Sequence, residues 1–127
     1  MLTLDPRTVE AESVRKRTAE IAGYLQDTIG QKVTAYLAGV EDPKLVGRWS
    51  RGEIQPRGFA ETRLRHGYLI VRMLVDAYDA ETAKAWLYGS NSRLDDRAPA
   101  LILRKAERLE DIQLLVPVAK AFARSEG

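Results

Sequence analysis

The 127-residue chain has no cysteine and a single histidine. Disulfide frameworks and thiolate-bound zinc are therefore excluded, and one imidazole leaves too little for a histidine-built metal site. No apolar run approaches the roughly 18 residues of a membrane span, and the first residues show no basic segment leading into an apolar stretch. A cytoplasmic location without a membrane partner is the expectation. Glycine-rich phosphate loops, nucleophile elbows and His-x-x-x-His pairs are missing too. Asp95-Asp96 supplies adjacent carboxylates, but loop neighbours point apart, and no base or further ligand lies near them in sequence. His66 shares a helical face with Leu69, Ile70 and Met73, which suits a core or dimer-seam histidine better than a catalyst. No enzymatic activity, cofactor or metal is expected.

An excess of one charge is also lacking: 20 basic and 18 acidic residues leave a formal +2. With 45% apolar and 30% charged residues, the composition fits one compact unit or two small lobes sharing a core. No stretch alternates with period two, and the apolar spacing is helical throughout, so the class is all-α. Thr8 to Gly23 carries Val14, Thr18 and Ile21 on one face, followed by Leu25, and Thr28 to Ala38 forms a second helix ended by Gly39. Asp42 and Pro43 open a short third helix that ends near Gly52. Phe59 to Tyr78 has two apolar stripes, as a central helix covered on two sides would. Asp79 caps a helix to about Tyr88, Gly89 to Ser92 breaks it, and Pro99 begins another, to about Leu109. Asp111 to Arg124 is helical again, with Pro117 kinking or restarting it. These punctuation marks divide the chain into an N-terminal region 1–57, a connecting helix 58–78 and a C-terminal helical region 79–127.

The charge is unevenly placed. Residues 31–72 carry eight basic and four acidic side chains, and Lys44 to Arg72 alone carries seven against two. A local footprint of this kind attracts phosphate backbones, although a solvated basic face without a ligand fits it equally. The helices around Gly39 have the spacing of a helix-turn-helix, with Ala35 small at the crossing, Gly39 permitting the turn, and Val46 and Trp49 anchoring the second helix. Lys44, Arg48 and Arg51 stand at i, i+4 and i+7, within roughly 60° on a helical wheel. Gly47 lies between them and is expected to leave the backbone uncluttered. With Gln55 and Arg57 in the exit loop they form the candidate DNA-binding set, since cations engage phosphates and Arg can bond a guanine edge twice. Groove binding requires the three helical cations to project together, clear of the protein's own carboxylates.

Trp49-Ser50-Arg51-Gly52-Glu53-Ile54-Gln55-Pro56 resembles the end of the recognition helix in Xre-type repressors. Farther on, Ala83-Lys84-Ala85-Trp86-Leu87, Asn91, Leu94, Pro99, Leu101 and Leu103 are similar to the toxin-binding domain of the Xre/MbcA/ParS antitoxin family, although Asp95-Asp96 stands where a glycine is common there. Trp86, Leu87, Leu94 and Pro99 are expected to be structural, and Asn91 to bond backbone groups of its turn. The resemblance implies an antitoxin that binds a RES-domain, NAD-degrading toxin through its C-terminal part and represses its own promoter through the helix-turn-helix. It implies an Xre-like N-terminal lobe joined by the long helix to a toxin-binding lobe. Asn91, Arg93, Arg97, Arg104, Arg108, Phe122 and Arg124 are the candidate toxin contacts. Operator DNA is the second expected partner, and a homodimer is expected because one short helix offers few contacts. A stand-alone transcription regulator and a protein inhibitor that does not bind DNA are the alternatives.

Overall fold

The computed structural model describes Arg7, Val9 and residues 17–125. Among the described residues the regular structure is helical, in the order α1 (Thr18–Ile29), α2 (Gln31–Ala38), α3 (Lys44–Ser50), α4 (Ala60–Ala77), α5 (Ala80–Tyr88), α6 (Pro99–Lys105) and α7 (Leu115–Arg124). Single 3-10 turns lie at Ser92–Leu94 and Leu109–Asp111. The all-α class is thus as expected. No helix is long and apolar enough to cross a membrane among the described residues.

The first helix boundary is corrected. Gly23 was expected to end a helix, yet α1 runs through it to Ile29, because the buried stripe Thr18, Ile21, Ala22, Leu25 and Ile29 continues past it. The break falls at Gly30, whose φ of +92° takes the chain out of the helix. Val14 and most of the expected Thr8-to-Thr18 stretch lie outside the described residues.

α4 is the centre of the molecule: from Ala60 to Ala77 every residue is buried or half-buried. It packs on α1, α2, α5, α6 and α7, burying Leu64, Tyr68, Val71 and Leu74 together with Ile70 and Met73. One core cluster runs from Val9 through Leu37, Leu64 and Leu103 to Ala119 and takes in residues of all three segments expected from the sequence. Between α5 and α6, Asp95 and Asp96 both hold left-handed backbone, at φ +58° and +62°. Among non-glycine residues, Asp tolerates that region better than most.

The end of the chain differs in detail from its expected outline. α6 stops at Lys105, and the Asp111 carboxylate accepts hydrogen bonds from the backbone N–H groups of Glu107 and Arg108 at 2.9 and 3.1 Å. Those two bonds hold its carboxyl below the usual aspartate range. The last helix starts afresh at Leu115, which puts Pro117 in the first turn, where its missing N–H has no intrahelical acceptor to lose.

Asp79 caps α5 as expected, its Oδ1 accepting from Thr82 N at 2.7 Å. Hydrogen bonding from Thr82 holds the Asp79 carboxyl below its ordinary value. A depressed folded-state pKa means stability that is present above the unfolded value and is lost as pH falls through the folded one. Asp79→Ala is therefore expected to lower the melting temperature at neutral pH. The difference from the parent should vanish in a series of melts carried to pH below the aspartate range.

Candidate nucleic-acid interface

α2 ends in a closed turn. Gly39 adopts φ +82°, its N–H bonds Ala35 and Tyr36 carbonyls, and Val40 N–H reaches back to Ala35 O at 3.1 Å. φ holds this position to glycine, and a Cβ there would stand 2.8 Å from Nη1 of Arg63 and have to displace that guanidinium. Asp42 Oδ1 then accepts from Lys44 N at 3.0 Å, and Pro43 precedes the first residue of α3. Ala35, Val46 and Trp49 are buried where the helices meet. A side-chain chain reinforces that contact: Gln31 donates to Gln26 at 2.9 Å, Gln26 to Ser50 at 3.1 Å, and Ser50 to Gly47 O at 2.7 Å.

Lys44, Arg48, Arg51, Gln55 and Arg57 are all exposed. Gly47 is not. It is buried under Gln31, whose Nε2 would lie 2.9 Å from a Cβ there, so the expected uncluttered backbone is corrected. The expectation that the helical cations stand clear of carboxylates is corrected. Arg51 Nε bonds Glu53 Oε2 at 2.6 Å, and Arg48 Nε lies 3.4 Å from Glu53 Oε1. The cause lies just beyond the helix. Gly52 turns left-handed at φ +73°, Glu53 N–H bonds Arg48 O at 3.0 Å, and the returning chain lays Glu53 over the end of α3. A wheel drawn over the helix alone cannot show a residue that folds back after the cap. The hydrogen bond from Arg51 holds the Glu53 carboxyl below its usual range, so it is charged at neutral pH. Exposed pairs of this type contribute little and are screened by salt. Phosphate can compete for both guanidiniums, since one exposed carboxylate is shared between them.

The C-terminal candidates divide. Arg104 is half-buried and engaged within the chain: it donates to Tyr36 O at 3.1 Å and Val40 O at 3.4 Å, and it pairs with Glu41 at 2.7 Å. Asn91 is occupied in its turn, with Oδ1 accepting from Arg93 N and its carbonyl accepting from Leu94 and Asp96. Arg97 is exposed and donates to Leu94 O at 3.1 Å, while Arg108 faces Glu110 and Asp111 at 3.7 and 3.8 Å. Arg93, Phe122 and Arg124 are exposed, and Asn91, Arg93 and Phe122 border one cleft beside Trp86. Trp86, Leu87, Leu94 and Pro99 are buried. Leu109 and Leu114, which no helical periodicity singles out, are 60% and 59% exposed between α6 and α7. Leu114 edges a cleft of about 470 Å³ that also includes Arg97, Lys105 and Glu110. His66 bonds the Thr62 carbonyl of its own helix at 3.0 Å, and among the described residues no group of three His, Asp or Glu could hold a metal.

The fold and this face describe an all-helical protein with an exposed cationic helix, α3, and a C-terminal region of mixed charge with exposed apolar side chains. No family model matches the chain, and no solved structure matches it. Among curated proteins it is similar to the mycobacterial cidal antitoxin MbcA of Mycobacterium bovis and of Mycobacterium tuberculosis. Identity is 25% over 101 residues, which are 80% of this chain and 84% of each relative. The likeness therefore runs to an antitoxin across most of both chains.

Proposed function

We propose that this chain is the antitoxin of a toxin-antitoxin pair: it neutralises a RES-domain, NAD-degrading toxin by direct binding and represses its own promoter through a helix-turn-helix formed by α2 and α3. The observation that carries this is the similarity to MbcA through 84% of that antitoxin's length. Support for the DNA half comes from the exposed Lys44, Arg48, Arg51, Gln55 and Arg57 on and after α3. Support for the toxin half comes from the C-terminal region, where Arg93, Arg97, Arg108, Phe122 and Arg124 are exposed, as are Leu109 and Leu114. Mixed charge interspersed with exposed apolar side chains suits a protein partner. The protein has no catalytic role and acts in the cytoplasm. Because α3 is only seven residues long, it works as a homodimer, with half-sites about 34 Å apart.

Co-expression with the adjacent reading frame tests the toxin half: growth is rescued and the two proteins co-purify. A failure of both removes the toxin. The DNA half is tested by Glu53→Gln, which deletes the carboxylate paired with Arg48 and Arg51. Affinity for promoter DNA should rise several-fold, most at low salt, in a fluorescence-anisotropy titration. The pairing of both arginines with Glu53 favours a second reading, a protein inhibitor that ignores DNA. That reading stands if neither the parent nor Glu53→Gln shifts DNA at any salt concentration.

A further inference from the structure

We propose that Arg63 and Arg104 are positioning residues for the DNA-reading helix: from α4 and α6 they hold the carboxyl end of α2 and its turn, and so set how α3 is presented. This rests on the DNA-binding half of the proposed function. Arg63 donates from Nη1 to Ala38 O at 3.0 Å and from Nη2 to Ala106 O at 2.6 Å, bridging the ends of α2 and α6 with one planar group. Arg104 takes the neighbouring carbonyls of Tyr36 and Val40, pairs with Glu41, and lies 4.8 Å above the Tyr36 ring. Ala38 O, the last carbonyl of α2, has no intrahelical donor, Tyr36 O keeps a lone pair beyond its bond from Gly39 N–H, and the helix end carries the negative end of its dipole, so cations there are favoured.

The turn is shaped to receive them. Gly39 leaves open the space that the Arg63 guanidinium fills. Burial, and then the Arg104 charge, push Arg63 below its ordinary value, as expected of two cations drawn to one carbonyl cluster. Neither residue belongs to the exposed cationic set on and after α3, and the Arg104 side chain is only 22% exposed, against 92% for its partner Glu41. Each is thus expected to act on DNA through the turn and not by meeting phosphate. Arginine is required, because the ammonium of lysine lacks a planar fork that can serve two carbonyls and a carboxylate at once.

The experiment uses the full chain and promoter DNA. Arg104→Ala should weaken binding about tenfold while the slope of log affinity against log salt stays at the parent value. Lys44→Ala, by contrast, should reduce that slope by about one. Arg104→Lys should not rescue affinity, and amide exchange at residues 39–46 should accelerate relative to α5. Should Arg104→Ala fold poorly, Glu41→Gln removes only the exposed partner and should give a smaller loss with the same unchanged slope. Val118→Ala, destabilising through α7, should leave affinity alone. Parent-like affinity and exchange in Arg104→Ala overturn the proposal, as does a fall in slope matching Lys44→Ala. If the parent itself does not bind DNA, the DNA reading fails first and takes this inference with it, and the exchange data then report separately whether the two arginines hold the turn.

Discussion

The triple variant Lys44→Ala, Arg48→Ala, Arg51→Ala is expected to bind promoter DNA about two orders of magnitude or more weaker than the parent, while neutralising the toxin as well as before. All three side chains are exposed on or just after α3, so their loss removes charge and hydrogen-bond donors without opening the core. The slope of log affinity against log salt should fall by about three per chain if each meets phosphate. Removing the arginines also leaves Glu53 unpaired on the same face, where its charge repels the backbone and adds to the loss. Measured by anisotropy over a range of salt, with growth rescue as the second readout, the variant separates the two halves of the proposal. Loss of toxin neutralisation alongside DNA binding would show that the N-terminal face serves the toxin too. Unchanged DNA binding would remove these cations from the interface.

Much of the fold was legible because short-range chemistry decides it. Asp79, Pro99 and Gly39 each mark a terminus through a local requirement, a cap oxygen, a free first-turn position and a left-handed φ, and the structure places them there. The missed boundary at Gly23 has the opposite cause. Glycine inside a helix is tolerated when the buried stripe continues, and Ile21, Leu25 and Ile29 carry it on to Gly30. The candidate interface was half visible. Helical spacing put Lys44, Arg48 and Arg51 on one arc, but Glu53, Arg63 and Arg104 reach their partners through a cap reversal or across 25 to 68 residues of sequence. Contacts of that range depend on how α4 and α6 pack beside α2, which no periodicity encodes. The same applies to Gly47, covered by Gln31 from a different helix.

The larger stability effect is expected at Trp86. Its ring is 8% exposed, on the α5 face that meets α7, with its centroid 6.4 Å from that of Phe122, which in turn lies 5.3 Å from Tyr78. Truncation to alanine deletes a large buried aromatic, at a cost of about 3–5 kcal/mol. Against a total stability of roughly 5–15 kcal/mol, that lowers the melting temperature by about 10–20 °C and weakens every function alike. Phe122 provides the contrast. It is 38% exposed at the rim of the cleft that Asn91 and Arg93 border, so Phe122→Ala should cost far less stability. Asn91 is taken up by its own turn, whereas Phe122 and Arg93 are exposed at the same cleft. Thermal melts of both variants, set beside toxin co-purification, distinguish a plug from a contact: Trp86→Ala should lose stability first, and Phe122→Ala should lose the toxin while still folded. An unchanged melting temperature in Trp86→Ala would show that α7 is held by Tyr78 and the aliphatic residues of α4, with the indole dispensable.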